Sequence, residues 1–225
     1  MREVRSVAVL VTREINRALR EGARNGGVVR LEGLDGQDSV AVGLDAVARV
    51  ELEGRVGDYF AALNKSASIT LKGDAGRFAA DTMTGGEVVI QGDAGHGLGF
   101  SLCGGTVVVK GNAGGRLGQM NKNGTIIVDG DVGDVVGLYA LGGDIVITGD
   151  SGEKTGEWLV GGRIFVGGEV RGLGRNAKEE PLSAEDADKL RELFARYDIK
   201  RSPDGFRKIV PEKLRPFYKG KGEGK

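Results

Sequence analysis

The single histidine and single cysteine of this 225-residue chain fall close together, with a serine between them: His96, Ser101 and Cys103. A serine beside an imidazole is the minimum requirement for acyl transfer, and Gly99-Phe100-Ser101-Leu102-Cys103 echoes the Gly-x-Ser-x-Gly nucleophile elbow. The echo fails at its last position, where Cys103 stands for glycine, and an elbow needs a helix after the serine. His96 holds a variable position shared at 19-residue spacing with Arg77, Gly115, Asp134 and Glu153, so it reads as an exposed, inert turn residue. Cys103 alone can supply neither a disulfide within the chain nor a metal cluster, and it reads as a buried structural thiol.

Other patterns suggest ligands, and each has a plainer explanation. Asp74, Asp93, Asn112, Asp131 and Asp150 recur at the same 19-residue spacing, and carboxylates stacked about 5 Å apart repel unless solvated or paired. Asn112 interrupts the row, and an Asp that caps its own turn explains the position without a metal. Gly92 to Gly99 and Gly111 to Gly118 look like dinucleotide loops, but no helix follows to offer its N-terminus to a pyrophosphate. Tyr139 and Trp158, which share that spacing, read as a stacked pair before they read as a ligand platform. The residues alone therefore assign no catalytic, cofactor-binding or metal-binding group.

A repeat sets the elements that would position any such group. Gly54, Gly73, Gly92, Gly111, Gly130, Gly149 and Gly168 close successive apolar runs at a constant 19-residue spacing, the mark of a solenoid. Triplets such as Val88-Val89-Ile90 and Ile126-Ile127-Val128 precede these glycines, and an acid or amide, a small residue and a second glycine usually follow. One such repeat is too short for a strand-helix unit and too long for one strand. Each unit is then one coil of extended segments joined by tight glycine turns and hydrogen-bonded to the coils above and below. The predicted fold is mainly β: a single-stranded right-handed parallel β-helix of about seven 19-residue coils, with a helix at each end. The hand follows from the right-handedness of about 98% of parallel crossovers.

Alternation assigns faces within a coil. Val88 and Ile90 point inward because Glu87 and Gln91 are polar, which leaves Val89 outward with its equivalents Val108, Ile127, Val146 and Phe165. Five stacked apolar residues make a surface that is normally covered, either by this chain's terminal helix or by a partner, and the ladder is the candidate docking surface. Formal charge is zero, from 32 basic and 32 acidic residues, so no global field points to nucleic acid. The charge is uneven: residues 1–24 carry +3 and residues 200–225 carry +6, which leaves −9 for the middle. Basic ends fit termini folded over an acidic solenoid, and fit solvated termini equally.

Residues 1–49 are expected to hold a strand in the apolar run Val7 to Val11, then a helix capped by Thr12 that runs to about Ala23 with Ile15, Ala18, Leu19 and Gly22 on one face. An irregular first coil follows, with short strands at Val28 to Gly33 and Ser39 to Gly43. Residues 50–176 are the β-helix proper. Residues 177–225 hold a helix from Ala184 to about Tyr197, capped by Ser183 with Asp186 at its third position. Its apolar face is Ala187, Leu190, Leu193, Phe194 and Tyr197, and an extended, finally disordered basic tail follows. The start lacks a signal core, and no run approaches about 20 apolar residues, so a cytoplasmic protein without membrane contact is expected.

The repeats and their flanks resemble the C-terminal Gly-X-Gly-X-Gly β-helix domain of the glutamate synthase large (alpha) subunit. Thr12-Arg13-Glu14-Ile15-Asn16-Arg17-Ala18-Leu19-Arg20-Glu21 is similar to the helix that enters that domain. Val160-Gly161-Gly162-Arg163-Ile164-Phe165-Val166-Gly167-Gly168-Glu169-Val170, followed by Leu173-Gly174, is similar to its last coils. The C subunit of formylmethanofuran dehydrogenase has a similar fold, but there the resemblance rests on the coils only. The resemblance implies a stand-alone structural subunit of a split glutamate synthase, or its counterpart in N-methylglutamate synthase. The alternative is a structural subunit of another redox complex such as formylmethanofuran dehydrogenase. In glutamate synthase an amidotransferase unit frees ammonia from glutamine, a flavin and iron-sulfur unit uses it to convert 2-oxoglutarate to glutamate, and the β-helix holds both in register. By that resemblance this chain carries no cofactor, and its partners are the FMN/iron-sulfur synthase subunit, the glutamine amidotransferase subunit, or a second copy of itself. The residues fit: no cysteine near the start offers an amidotransferase nucleophile, and Cys103 alone cannot ligate an iron-sulfur cluster.

Overall fold

The computed structural model describes residues 3–6, 11–24, 27–214 and 216–217. Most of the strand expected at Val7 to Val11 and the end of the basic tail lie outside these residues. The β-branched runs form strands that stack in sequence order: β2 (Val28–Gln37), β3 (Arg49–Val56), β4 (Ser68–Lys72), β5 (Glu87–Ile90), β6 (Thr106–Val109), β7 (Thr125–Val128), β8 (Leu141–Ile147) and β9 (Gly161–Val166). Each pairs in parallel with the next. From β3 onward the pairings are offset by one full repeat, except that Leu141 meets Gly161 ahead of a register shift in β8, so that Glu87, Thr106, Thr125, Asp144 and Arg163 share one column. Eight strands enclose seven turns, a parallel β-solenoid. A second column of parallel bridges joins Val56, Ala75, Ala94, Ala113, Val132, Ser151 and Val170.

The inward assignments hold: Val88, Ile90, Val107, Val109, Ile126 and Val128 are fully buried. The remaining side of each coil has an unusual backbone. Alternate residues take left-handed φ, as in Tyr59, Ala61 and Leu63 (59°, 53° and 59°) and in Phe78, Ala80 and Thr82 (57°, 57° and 50°). Ser39 to Gly43, expected as a short strand, is the first such segment, with Ser39 and Ala41 at 57° and 61°. Left-handed φ costs an L-residue roughly 1–2 kcal/mol, and glycine enters where a second constraint is added. At Gly99 (φ +65°) a Cβ would stand 2.6 Å from Ile126 Cδ1. Ala61 and Ala80 hold the equivalent position opposite Val88 and Val107. Gly99, Gly118 and Gly137 hold it opposite Ile126, Ile145 and Ile164, whose Cδ1 atoms occupy the space of the missing Cβ.

The chain plugs both ends of its own core. α1 (Thr12–Arg24) contributes Ile15 and Leu19 to the main cluster. Asn16, on the same face, donates to Ser39 O at 2.7 Å and accepts from Ala41 N at 2.7 Å. Thr12 does not cap the helix; its hydroxyl donates to Asp38 O at 3.0 Å, while Glu14 accepts the Val11 N–H at 3.3 Å. β1 (Glu3–Ser6) adds a parallel strand beside β2. At the far end β11 (Arg207–Pro211) runs antiparallel to β9, and β10 (Ala177–Glu180) antiparallel to β11, which buries Ile209. Part of the segment read as an extended tail is therefore sheet. Between β10 and β11 lies α2 (Ala184–Arg196), opened by the reciprocal Ser183–Asp186 capping box. Among the described residues no helix is long and apolar enough to cross a membrane.

Candidate functional site

The outward ladder, read as a docking surface, lies beneath α2. Val108, Ile127 and Val146 are fully buried, Phe165 nearly so, and Val89 is half-buried. They pack with Leu190, Phe194, Ile199 and Phe206 in a second core on the outside of the sheet. The docking assignment is therefore corrected: these residues belong to this chain's own interior. Length accounts for the cover. Thirteen helical residues span about 20 Å, and the four strand spacings from β5 to β9 span about 19 Å. Beyond the helix the same outward column turns polar, with Thr70, Glu51 and Arg30 in place of Val89, and Arg30 pairs with Glu51 at 2.5 Å.

Polar contacts fasten α2 at both ends. The buried Asp186 accepts from the Ser183 hydroxyl at 2.7 Å, Lys208 Nζ at 2.8 Å and Arg163 Nη1 at 3.0 Å. Burial alone would raise its pKa, but the bonds from Lys208 and Ser183 outweigh that and bring it down to about 2. Arg163 also holds the buried Asp144 at 2.7 Å, and Lys189 of α2 donates to the same carboxylate. At the other end the Tyr197 hydroxyl donates to Glu87 at 2.6 Å, and Arg196 donates to the same oxygen at 2.9 Å. Burial and the bond to Glu87 push the Tyr197 phenol up to about 12. These groups satisfy one another, and their chemistry is that of holding a helix down.

The recurring acids form a different device from the turn caps expected of them. Each accepts the backbone N–H of the equivalent residue one coil further on: Asp74 from Asp93 at 2.8 Å, Asp93 from Asn112 at 2.7 Å, Asn112 from Asp131 at 2.8 Å, Asp131 from Asp150 at 2.8 Å and Asp150 from Glu169 at 2.7 Å. Asn112 fits the row because an amide oxygen accepts as a carboxylate does. The marker glycines follow from the same contact, since a Cβ at Gly111 would lie 2.2 Å from Asp93 Oδ1 and one at Gly149 2.1 Å from Asp131 Oδ1. Gly and Asp thus work as a pair across coils.

A family model described as the GXGXG motif matches residues 5–198, a span that includes α1, every coil and α2. The chain belongs to the GXGXG motif family. This is the family of the glutamate synthase C-terminal domain. No curated protein matches the chain.

The other candidate residues of this GXGXG chain do not converge. His96 is exposed, and among the described residues no hydrogen bond joins it to Ser101 or Cys103. Cys103 is half-buried rather than buried, with Sγ 3.3 Å from Ser101 O and 3.6 Å from Lys122 Nζ. Tyr139 and Trp158 are bridged by Phe217, at ring-centroid distances of 5.9 and 5.3 Å, and Arg175 lies 5.8 Å from the indole. Among the described residues no group of three or more His, Cys, Asp or Glu could hold a metal. Two buried asparagines escaped the sequence reading. Asn64 and Asn121 each donate to the carbonyl three positions on and accept that residue's N–H, at 2.9 to 3.2 Å. They stand three repeats apart, at a position otherwise filled by Met83, Leu102, Ala140 and Leu159, and that periodic placement of a polar residue among apolar ones was the available signal.

Proposed function

We propose that this GXGXG chain is the non-catalytic structural unit of a glutamate synthase-type assembly in the cytoplasm, supporting glutamine-dependent formation of glutamate or N-methylglutamate. The glutamine amidotransferase and the FMN and iron-sulfur synthase sit on partner subunits. The observation that carries this reading is the family match over residues 5–198. Stiffness is the property the role requires, because misplacing reacting groups by about 1 Å can cost on the order of 100-fold in rate. Coils tied to their neighbours by backbone hydrogen bonds, and by the acid row at 2.7–2.8 Å, suit it. Since α2 covers the apolar ladder, the partners are met over surfaces that α2 leaves open.

The test is purification of the tagged chain from its native cells, followed by an assay of glutamate formed from glutamine and 2-oxoglutarate. Co-elution with a flavin and iron-sulfur subunit, and loss of glutamine-dependent activity on removing this chain, are the expected results. Co-elution with a molybdenum or tungsten subunit, or undiminished activity without the chain, would replace this reading.

A further inference from the structure

Two patches of unpaired charge stand far apart on the solenoid. On α1, Arg13, Arg17, Arg20 and Arg24 are exposed at i, i+4, i+7 and i+11, one stripe about 16 Å long at 1.5 Å per residue. The open groove along this stripe contains one acid, Glu21. Among the described residues none of the four arginines enters an ion pair. On the turns after β7, β8 and β9, Asp131, Asp150 and Glu169 stand in one column and Asp134 and Glu153 in another, an acidic patch with Lys154 and Arg171 exposed on the same turns. The acids are tied coil to coil where Asp150, Glu153 and Glu169 donate backbone N–H groups to Asp131, Asp134 and Asp150 at 2.7–2.8 Å. None of these five acids is ion-paired among the described residues either.

The stripe and the patch of one molecule cannot meet. The Thr12 hydroxyl places the start of α1 at Asp38, the head of the column that continues through Asp58, Arg77, His96 and Gly115 to Asp134. Five coil spacings separate Asp38 from Asp134, about 24 Å, beyond the reach of any arginine, and coils bonded to one another do not fold shut. We infer that the arginine stripe of one copy docks on the carboxylate patch of a second copy, head to tail. Both halves of the charge complementarity are on this chain. Their spacings also agree, with arginines every ~5.5 Å along the helix and carboxylates every ~4.8 Å along the coils. Such a heterologous contact closes into a ring or extends as a line. The inference concerns the chain by itself and does not rest on the proposed partner subunits.

Sedimentation velocity of the purified full chain tests it. Arg13→Glu with Arg17→Glu reverses half the stripe, and Glu153→Lys with Glu169→Lys reverses part of the patch; none of these four side chains makes a hydrogen bond among the described residues. Wild type should self-associate at about 0.05 M salt, and association should weaken more than about tenfold at about 0.5 M, where screening is much stronger. Each double variant alone should stay monomeric, and an equimolar mixture of the two should associate again, because reversed stripe then meets reversed patch. A wild type that is monomeric at low salt overturns the inference. So do assemblies that survive both variants, and so does a mixture that fails to associate.

Discussion

Replacing Gly99 with Ala should unsettle the core through one identifiable contact. Two effects add: a side chain at φ +65° costs roughly 1–2 kcal/mol, and the new methyl, 2.6 Å from Ile126 Cδ1, overpacks the core by about 1–3 kcal/mol. Gly99→Ala should therefore destabilise by about 2–5 kcal/mol. Ile126→Val alone should cost about 0.5–1.5 kcal/mol for the lost methylene. In the double variant the alanine methyl takes the space that Cδ1 vacates, so little beyond the φ cost remains and the pair should couple by about 2 kcal/mol. Urea unfolding followed through the lone Trp158 and by far-ultraviolet circular dichroism measures this. The slope of each transition needs checking, because repeat arrays can unfold in parts. A double variant as unstable as the sum of its singles would refute the idea that alanine at 61 and 80, and glycine at 99, 118 and 137, answer the valine or isoleucine opposite.

Ile127→Asp and Ile126→Asp should each cost several kcal/mol, because either would bury an unpaired carboxylate; amide exchange should rise along α2 in the first variant, and an α2 that stays protected would contradict its place over the ladder. Asp186, held at about 2 against an ordinary 3.8, contributes stability that is present above the ordinary value and lost as pH falls toward about 2. That contribution is on the order of 2 kcal/mol, and Asp186→Asn should flatten the acid limb of a stability-versus-pH curve. Phe217→Ala should expose Trp158 and shift its fluorescence to the red, while an unchanged spectrum would mean that the bridge from Tyr139 to Trp158 does not persist in solution.

The coils could be read from the chain because the repeat spacing and strand alternation are local signals that never slip between Gly54 and Gly168. The left-handed segments could not. Tyr59, Phe78 and Lys154 have no intrinsic liking for positive φ; the stack imposes it, through bonds such as Tyr59 N to Arg77 O at 2.8 Å and Phe78 N to His96 O at 2.9 Å. The apolar ladder and the apolar face of α2 were each legible, but their union depended on matching a helix length to a number of coils. The fastenings were hidden for a different reason. Arg163 and Asp186, and still more Tyr197 and Glu87, are far apart along the chain, and no sequence pattern links them.

A helix tied at both ends to the strands it crosses also limits how this chain can change in length. Whole repeats could be added or removed without disturbing the Asp-to-backbone row, since any coil offers its neighbour the same partners. Between Glu87 and Arg163, however, one extra coil would move the two anchorages apart by about 4.8 Å, more than three positions' worth of helical rise, and one of the fastenings would have to let go. Length variation in relatives that keep α2 should therefore fall outside those strands, and α2 serves as a gauge of coil number.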